Sequence, residues 1–227
     1  MDTEERKPLS KKIVLLVPAT LLVLGLLFFV PAGTLDYWEA WVYCAVIIVP
    51  FLVVFAWLFR NNPELMARRM RFEEKEPAQK RIVRVSGLIF LAGFLIPGLD
   101  RRFGWSEIPV EAVLFADVLV IVGYALVFLV FRENPFTSRV VEVEPGQTVI
   151  STGPYAIVRH PMYLGVSIMW IATPVALGSY WALPVFLIMP VILVYRILNE
   201  EEVLLRELPG YRDYTRKVRY RIIPGIW

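Results

Sequence analysis

Long uncharged apolar runs alternate with blocks of charge along this chain, and the lengths of the runs predict its elements. A helix that crosses a bilayer needs about 20 apolar residues, within a range of roughly 17–25. Four runs meet that requirement: Ile13–Pro31, Trp38–Phe59, Ile82–Leu99 and Ile108–Phe131. After a polar stretch come two shorter runs, Met162–Gly178 and Trp181–Tyr195, separated only by Ser179 and Tyr180. This spacing predicts a tight helical hairpin. Its second arm barely spans the hydrocarbon at about 1.5 Å per residue, and Pro174, Pro184 and Pro190 are expected to bend the two arms. The pattern as a whole predicts an all-α, polytopic membrane protein of about six transmembrane helices. The first run is too long for a signal-peptide core and ends in Pro-Ala-Gly-Thr-Leu-Asp without a cleavage site, so it is read as a mature helix.

Composition sharpens this picture. Of the 227 residues, 57% are hydrophobic, against about 45–50% in soluble domains, which excludes a soluble globule or a disordered chain. The net charge of +3 matters less than where the 24 Lys and Arg fall. With the N-terminus in the cytoplasm, every one except Arg101 and Arg102 is cytoplasmic, which predicts that both termini and the polar segments lie on that face. Two units are expected. Residues 1–131 form a four-helix membrane region with a basic cytoplasmic loop at 60–81. Residues 132–227 form a second unit of polar loop, hairpin and cytoplasmic tail. The basic loop opens with Asn62-Pro63-Glu64, a cap followed by proline at the first helical position. Leu65, Met66, Met70 and Phe72 predict that this helix lies along the lipid headgroups.

Several chemistries are missing. One cysteine (Cys44) and one histidine (His160) leave no disulfide and no clustered metal site. No Gly-x-Gly, Walker loop, His-Glu-x-x-His or Gly-x-Ser-x-Gly is present. Neither a metal nor a nucleic-acid partner is expected.

The densest special sequence is Thr152-Gly-Pro-Tyr155-Ala-Ile-Val-Arg159-His160-Pro161-Met162-Tyr163-Leu-Gly165. Pro161 sits where a helix should open, leaving Arg159 and His160 beside a helix N-terminus that attracts anions. A carboxylate-bearing ligand suits this corner. Upstream, β-prone Val140–Val143 and Thr148–Ile150 flank a turn at Glu144-Pro-Gly-Gln147. Downstream, Arg196 and Glu200 share a helix face, and three adjacent carboxylates, Glu200 to Glu202, call for a nearby cation. Tyr211, Tyr214 and Trp227 are candidates to cover the site. Asp117 lies mid-bilayer, where a carboxylate costs roughly 2.5–3.5 kcal/mol on insertion scales, and should face the bundle interior.

Taken in order, Gly153-x-Tyr155, Arg159-His160-Pro161-x-Tyr163-x-Gly165, a hairpin, Glu201-Glu202-x-x-Leu205, Tyr214 and Arg221-x-x-Pro224 resemble the isoprenylcysteine carboxyl methyltransferases. The likeness extends to their membrane phospholipid-methyltransferase-like relatives and covers about Asn134 to Pro224; the first four helices match only in being hydrophobic. The resemblance implies S-adenosylmethionine as methyl donor and a lipophilic acceptor drawn from the bilayer. By motif, Gln147, Thr148, Val149 and Ile150 would line the adenosine pocket. Tyr155, His160, Pro161, Met162 and Tyr163 would hold the ring and the amino-acid end of the donor. Glu201 would meet its amine, and Arg196 would take the substrate carboxylate. The gap between Arg196 and Glu201 is five rather than four, so Glu200 is an alternative for the amine.

The chemistry needs no general base. An ionised carboxylate and an electrophilic sulfonium methyl require in-line placement, worth about 7–11 kcal/mol, and a dry pocket. Three other readings remain open: methyl transfer to a phospholipid amine or small thiol, a nicotinamide-dependent sterol-type reductase, and a transporter or scaffold.

Overall fold

The structure, a computed structural model, describes residues 3–69 and 77–227, with side chains at 18–69 and 79–227. Eight α-helices and no strand are present among the described residues. They are α1 (Thr3–Ala32), α2 (Trp38–Asn61), α3 (Pro63–Arg69), α4 (Pro77–Phe103), α5 (Val110–Glu133), α6 (Pro161–Ala176), α7 (Leu183–Glu207) and α8 (Tyr211–Lys217). The all-α expectation holds.

Among the described residues, α2, Gln79–Phe103 of α4, α5 and α7 are long and apolar enough to cross a membrane, while Pro18–Ala32 and Pro161–Ala176 are shorter apolar stretches. Their outer faces carry exposed side chains such as Leu22, Leu88, Phe115 and Val191, the pattern of helices solvated by lipid rather than water. The second hairpin arm is longer than its apolar run predicts. It continues as helix through the charged Asn199–Glu207 segment, where Glu200 and Glu201 find partners within the protein. Pro184 stands in the first turn of α7, where a missing N–H costs nothing, and only Pro190 is interior to that helix.

The largest helix interface is α5 against α6. Its closeness rests on two glycines: a Cβ on Gly123 would lie 2.4 Å from Met169 Cγ and 2.6 Å from the Gly165 carbonyl oxygen. Small residues let membrane helices approach in this way. Around this pair, α1 packs on α4, α4 and α6 on α7, and α2 on α5.

At one end of the bundle the connections 33–37, 104–109 and 177–182 meet. There Asp100 accepts from Ser106 Oγ at 2.7 Å and from Ser179 Oγ at 2.5 Å, and Gly178 turns the hairpin at φ +70. The polar segments gather at the other end.

Two expectations about those segments change. Asn62 does cap α3, accepting from the Leu65 amide at 3.0 Å. Leu65 and Met66, however, are buried inside the protein against Leu58 and Phe131 rather than laid on headgroups, because the short helix folds back over the ends of α2 and α5. Met70 and Phe72 lie outside the described residues. Asp117 faces the bundle interior, 4% exposed, and neither of its oxygens has a hydrogen-bond partner among the described residues.

Candidate functional site

The site is assembled from the polar end upward. Leaving α5, the chain turns at Asn134, whose Oδ1 accepts from the Phe136 amide at 2.9 Å and whose Nδ2 donates to Tyr155 Oη at 3.0 Å. Two arginines of α3 fasten the next stretch: Arg68 donates to the Pro135 carbonyl at 2.7 Å and Arg69 to the Ser138 carbonyl at 3.0 Å. The predicted turn forms at Glu144–Gln147, closed in both directions by Gln147 N to Glu144 O at 3.0 Å and Glu144 N to Gln147 Oε1 at 2.9 Å. Its β-prone flanks do not become strands. Residues 139–151 run as irregular chain along the helix ends, where no neighbouring strand offers a ladder.

A 3-10 turn at Gly153–Ala156 then leads to His160, the residue before α6, with Pro161 in the first turn. The C-terminal tail straps this corner from outside. The Arg159 and His160 amides donate to the carbonyls of Tyr220 and Arg221 at 2.9 and 2.8 Å.

The anion that occupies the corner is the chain's own Glu201. Its Oε1 accepts from Arg159 Nε at 2.7 Å and lies 3.2 Å from His160 Nε2, while its Oε2 accepts from Arg221 Nε at 2.8 Å. Arg159 also donates to the Val218 and Arg219 carbonyls at 2.9 and 2.7 Å. Glu201 and Arg159 are nearly fully buried. A carboxylate so engaged is a clasp between α7, the α6 corner and the tail. A ligand's carboxylate is the expectation from the sequence at this corner; the structure places the chain's own Glu201 there. Arg221 entered the sequence reading only as part of a motif; nothing in its spacing identified it as a partner of Glu201.

One residue earlier, Glu200 faces the other way, into a cleft. Its Oε2 accepts from Tyr163 Oη at 2.6 Å, and Tyr163 Oη in turn accepts from Arg196 Nε at 3.0 Å. Arg196 is held further by Gln79 Oε1 at 2.7 Å and the Arg139 carbonyl at 2.6 Å. Gln79, fully buried, also donates to Asn199 Oδ1 at 2.7 Å. It is a site residue the sequence reading missed, because a single amide at the start of a long helix carries no spacing signal. Arg196 and Glu200 share a helix face as expected, but a tyrosine hydroxyl mediates between them.

The cleft has about 860 Å³ of empty space, counting its open side. Gln147, Thr148, Val149, Ile150, Tyr155, His160, Pro161, Met162, Tyr163, Arg196 and Glu200 all border it. Glu201 does not; it stands behind the wall. The residues added by the structure are of both kinds: polar Asn134, Thr137, Ser138 and Glu142 from the loop after α5, and apolar Val203, Leu204 and Leu208 from the end of α7. Tyr211 and Tyr214 complete the cover, whereas Trp227 packs beneath the Arg221 guanidinium at 5.0 Å and beside Ile222. Trp227 is thus removed from the expected cover, because the last residues turn back onto Arg221 to Ile223.

The cleft therefore mixes aromatic and aliphatic surface with charge: Glu142 and Glu200 supply carboxylates to its lining, and Arg159 and Arg196 supply guanidinium groups. Burial pushes the phenols of Tyr155, Tyr211 and Tyr214 above the ordinary tyrosine range, so they serve as neutral hydrogen-bonding groups. Tyr214 Oη donates to the Tyr155 carbonyl at 2.8 Å. Tyr211 Oη is buried and has no hydrogen-bond partner among the described residues. A buried hydroxyl without a partner is costly, and this one borders the cleft.

Residues 112–211 match the family model for phospholipid methyltransferases, and the match supports a membrane methyltransferase-like family. The chain is also similar to the mouse Delta(14)-sterol reductase TM7SF2, 32% identical over 105 residues, which are 43% of this chain and 25% of that protein. The chain thus aligns with about a quarter of that relative's length.

Proposed function

We propose that the protein is an S-adenosylmethionine-dependent methyltransferase of the membrane, acting on a lipophilic substrate at the mouth of the cleft. The supporting observation is the cleft itself: Glu200 and the partnerless Tyr211 hydroxyl sit among aromatic and aliphatic walls, next to the ends of the apolar helices. The matched family segment contains Glu200 and Tyr211.

This donor set fits the cofactor. Glu200 is placed for a cationic amine, Tyr211 Oη for a polar group, and Val149, Ile150, Leu204 and Leu208 for the faces of an adenine. When bound, the cofactor supplies a methyl group already electrophilic on a sulfonium. The protein's own task is then positional. Tyr163 and Gln79 fix Arg196 at the cleft edge, where a substrate carboxylate can replace one of its present acceptors. The Glu201 clasp holds α6, α7 and the tail at a fixed separation, and the tyrosine cover keeps water from an ionised nucleophile. No proton has to be moved, so the lone histidine is free to serve structure.

In the finer form of the reading, the acceptor is a carboxylate on an isoprenylcysteine-like molecule, and the cleft faces the cytoplasm. Phospholipid N-methylation and thiol S-methylation use the same donor and are separated by which defined acceptor takes up labelled methyl.

The experiment is calorimetric titration of the purified chain with S-adenosylhomocysteine. Micromolar binding is expected, weakened about 10-fold or more by Glu200→Gln, since a hydrogen bond to a charged group contributes about 1.5–3 kcal/mol. Absence of binding would remove the proposal. The similarity to a sterol reductase supplies a second reading, a nicotinamide-dependent reductase. Titration with NADPH in parallel distinguishes the two.

A further inference from the structure

The strap that closes the Glu201 corner carries an apolar tip. Beyond Arg221 the chain doubles back: Gly225 takes a left-handed φ of +82, the Ile226 amide donates to the Ile223 carbonyl at 3.1 Å, and the Arg221 amide donates to the Trp227 carbonyl at 2.8 Å. The turn leaves Ile223 44% and Ile226 78% exposed, the latter more than any other large hydrophobic side chain among the described residues. Tyr220 and Ile157 are exposed as well, and the bond from the Arg159 amide to the Tyr220 carbonyl joins their two segments. Apolar side chains gathered at the polar end of a protein mark an interaction surface.

The position of the strap says what covers this surface. Ile222 is buried in a cluster with Tyr163, Leu193 and Ile197, against which Trp227 also packs. Along α7, Leu193 lies about 10 Å nearer the apolar end than Glu200, at roughly 1.5 Å per residue. The strap thus descends past the level of the cleft onto the apolar part of α7, where Val191 and Tyr195 are exposed to lipid. An interfacial element buries its apolar face by a similar distance, about 5–10 Å into the boundary between headgroups and acyl chains.

Charge points the same way. Residues 212–221 hold five Lys and Arg against the single acid Asp213. Arg221 is engaged by Glu201, and Arg216 makes an exposed pair with Asp213 at 3.5 Å. Arg212, Lys217 and Arg219 are exposed to solvent and form a basic fringe ahead of the tip.

We infer that the strap tip, with Ile157, Tyr220, Ile223 and Ile226, docks into the headgroup boundary of an anionic phospholipid leaflet, and that its basic fringe meets the lipid phosphates. The inference goes beyond the methyltransferase reading and does not depend on it. It gives the tail a second contact to match its first: the strap that holds Arg221 on Glu201 from one side is held to the bilayer from the other. An anionic leaflet therefore stabilises the clasp.

Hydrogen–deuterium exchange of the full chain tests this in nanodiscs of phosphatidylcholine with and without phosphatidylglycerol, and needs no variant. The Arg221, Ile222 and Trp227 amides are bonded within the strap and exchange when it lifts. Each basic residue near an anionic leaflet favours docking about 5-fold, so exchange across 220–227 should slow by at least that factor when phosphatidylglycerol is present. Lys217→Gln combined with Arg219→Gln should remove the slowing. A bimane label on Ile226→Cys, in a chain carrying Cys44→Ala, should be quenched by acyl-brominated lipid about 2-fold or more beyond the same label on Pro145→Cys at the exposed polar turn. Equal exchange in the two bilayers overturns the inference. So does a label at 226 quenched no more than one at 145, which would turn the patch to water and leave it for a soluble partner.

Discussion

Glu201→Ala is the sharpest test of how the site is held. The substitution removes the one carboxylate shared by Arg159, His160 and Arg221, at 2.7, 3.2 and 2.8 Å. Its side chain is 7% exposed and that of Arg159 6%, so solvent screens the pair very little; Arg221, at 29%, can turn to water. Breaking a buried ion pair from one side typically costs about 3–5 kcal/mol. Arg159 keeps the Val218 and Arg219 carbonyls as acceptors, which places the cost near the lower end, about 3 kcal/mol. For a chain of this size each kcal/mol lowers Tm by about 2–4 °C, giving a fall of about 6–12 °C in a detergent-solubilised melt. Because the clasp also anchors the tail through Arg221, limited trypsin digestion should cut after Arg219 or Arg221 faster in the variant. The double substitution Glu201→Ala with Arg221→Ala should cost less than the two single ones together, since they share an interaction. A Glu201→Ala protein that melts with the wild type and resists trypsin equally would refute the clasp and return Glu201 to the role of a cofactor ligand.

Gly123→Ala should be destabilising by about 1–3 kcal/mol, read as a lower Tm, because the added methyl meets Met169 and the Gly165 carbonyl at 2.4 and 2.6 Å. Asp117→Leu should leave Tm unchanged or raise it: the buried carboxylate has no hydrogen-bond partner among the described residues, and replacing such a group by an apolar one of similar size relieves its desolvation cost. A fall of several degrees would mean that Asp117 has an unseen partner. The raised pKa values of Tyr155, Tyr211 and Tyr214 mean that the folded state holds these phenols protonated. Their contribution is complete below the unfolded tyrosine pKa of about 10 and declines as pH rises beyond it. Absorbance titration should therefore show part of the tyrosine population resisting ionisation above pH 10 until the protein unfolds.

Most of the helical architecture was legible from the chain, because a membrane imposes a minimum apolar length and the charge blocks mark where helices end. The cap at Asn62, the start of α6 at Pro161 and the turn at Gly146 follow from local backbone chemistry, which needs no distant partner. The residues around the cleft were likewise visible as an ordered motif. Other facts depend on which distant groups meet. Glu200 and Glu201 are adjacent and chemically identical, yet helix geometry turns one into the cleft and the other onto Arg159 and Arg221. Gln79 matters only because α4 passes the end of α7. Leu65 and Met66 are buried because α3 folds back over Phe131, a contact no local pattern encodes. The sequence by itself determined where the chain is apolar, where it turns and which polar residues cluster. Only the tertiary structure decided which charges neutralise one another and which are left facing a ligand, because burial and partner choice are properties of packed helices rather than of neighbouring residues.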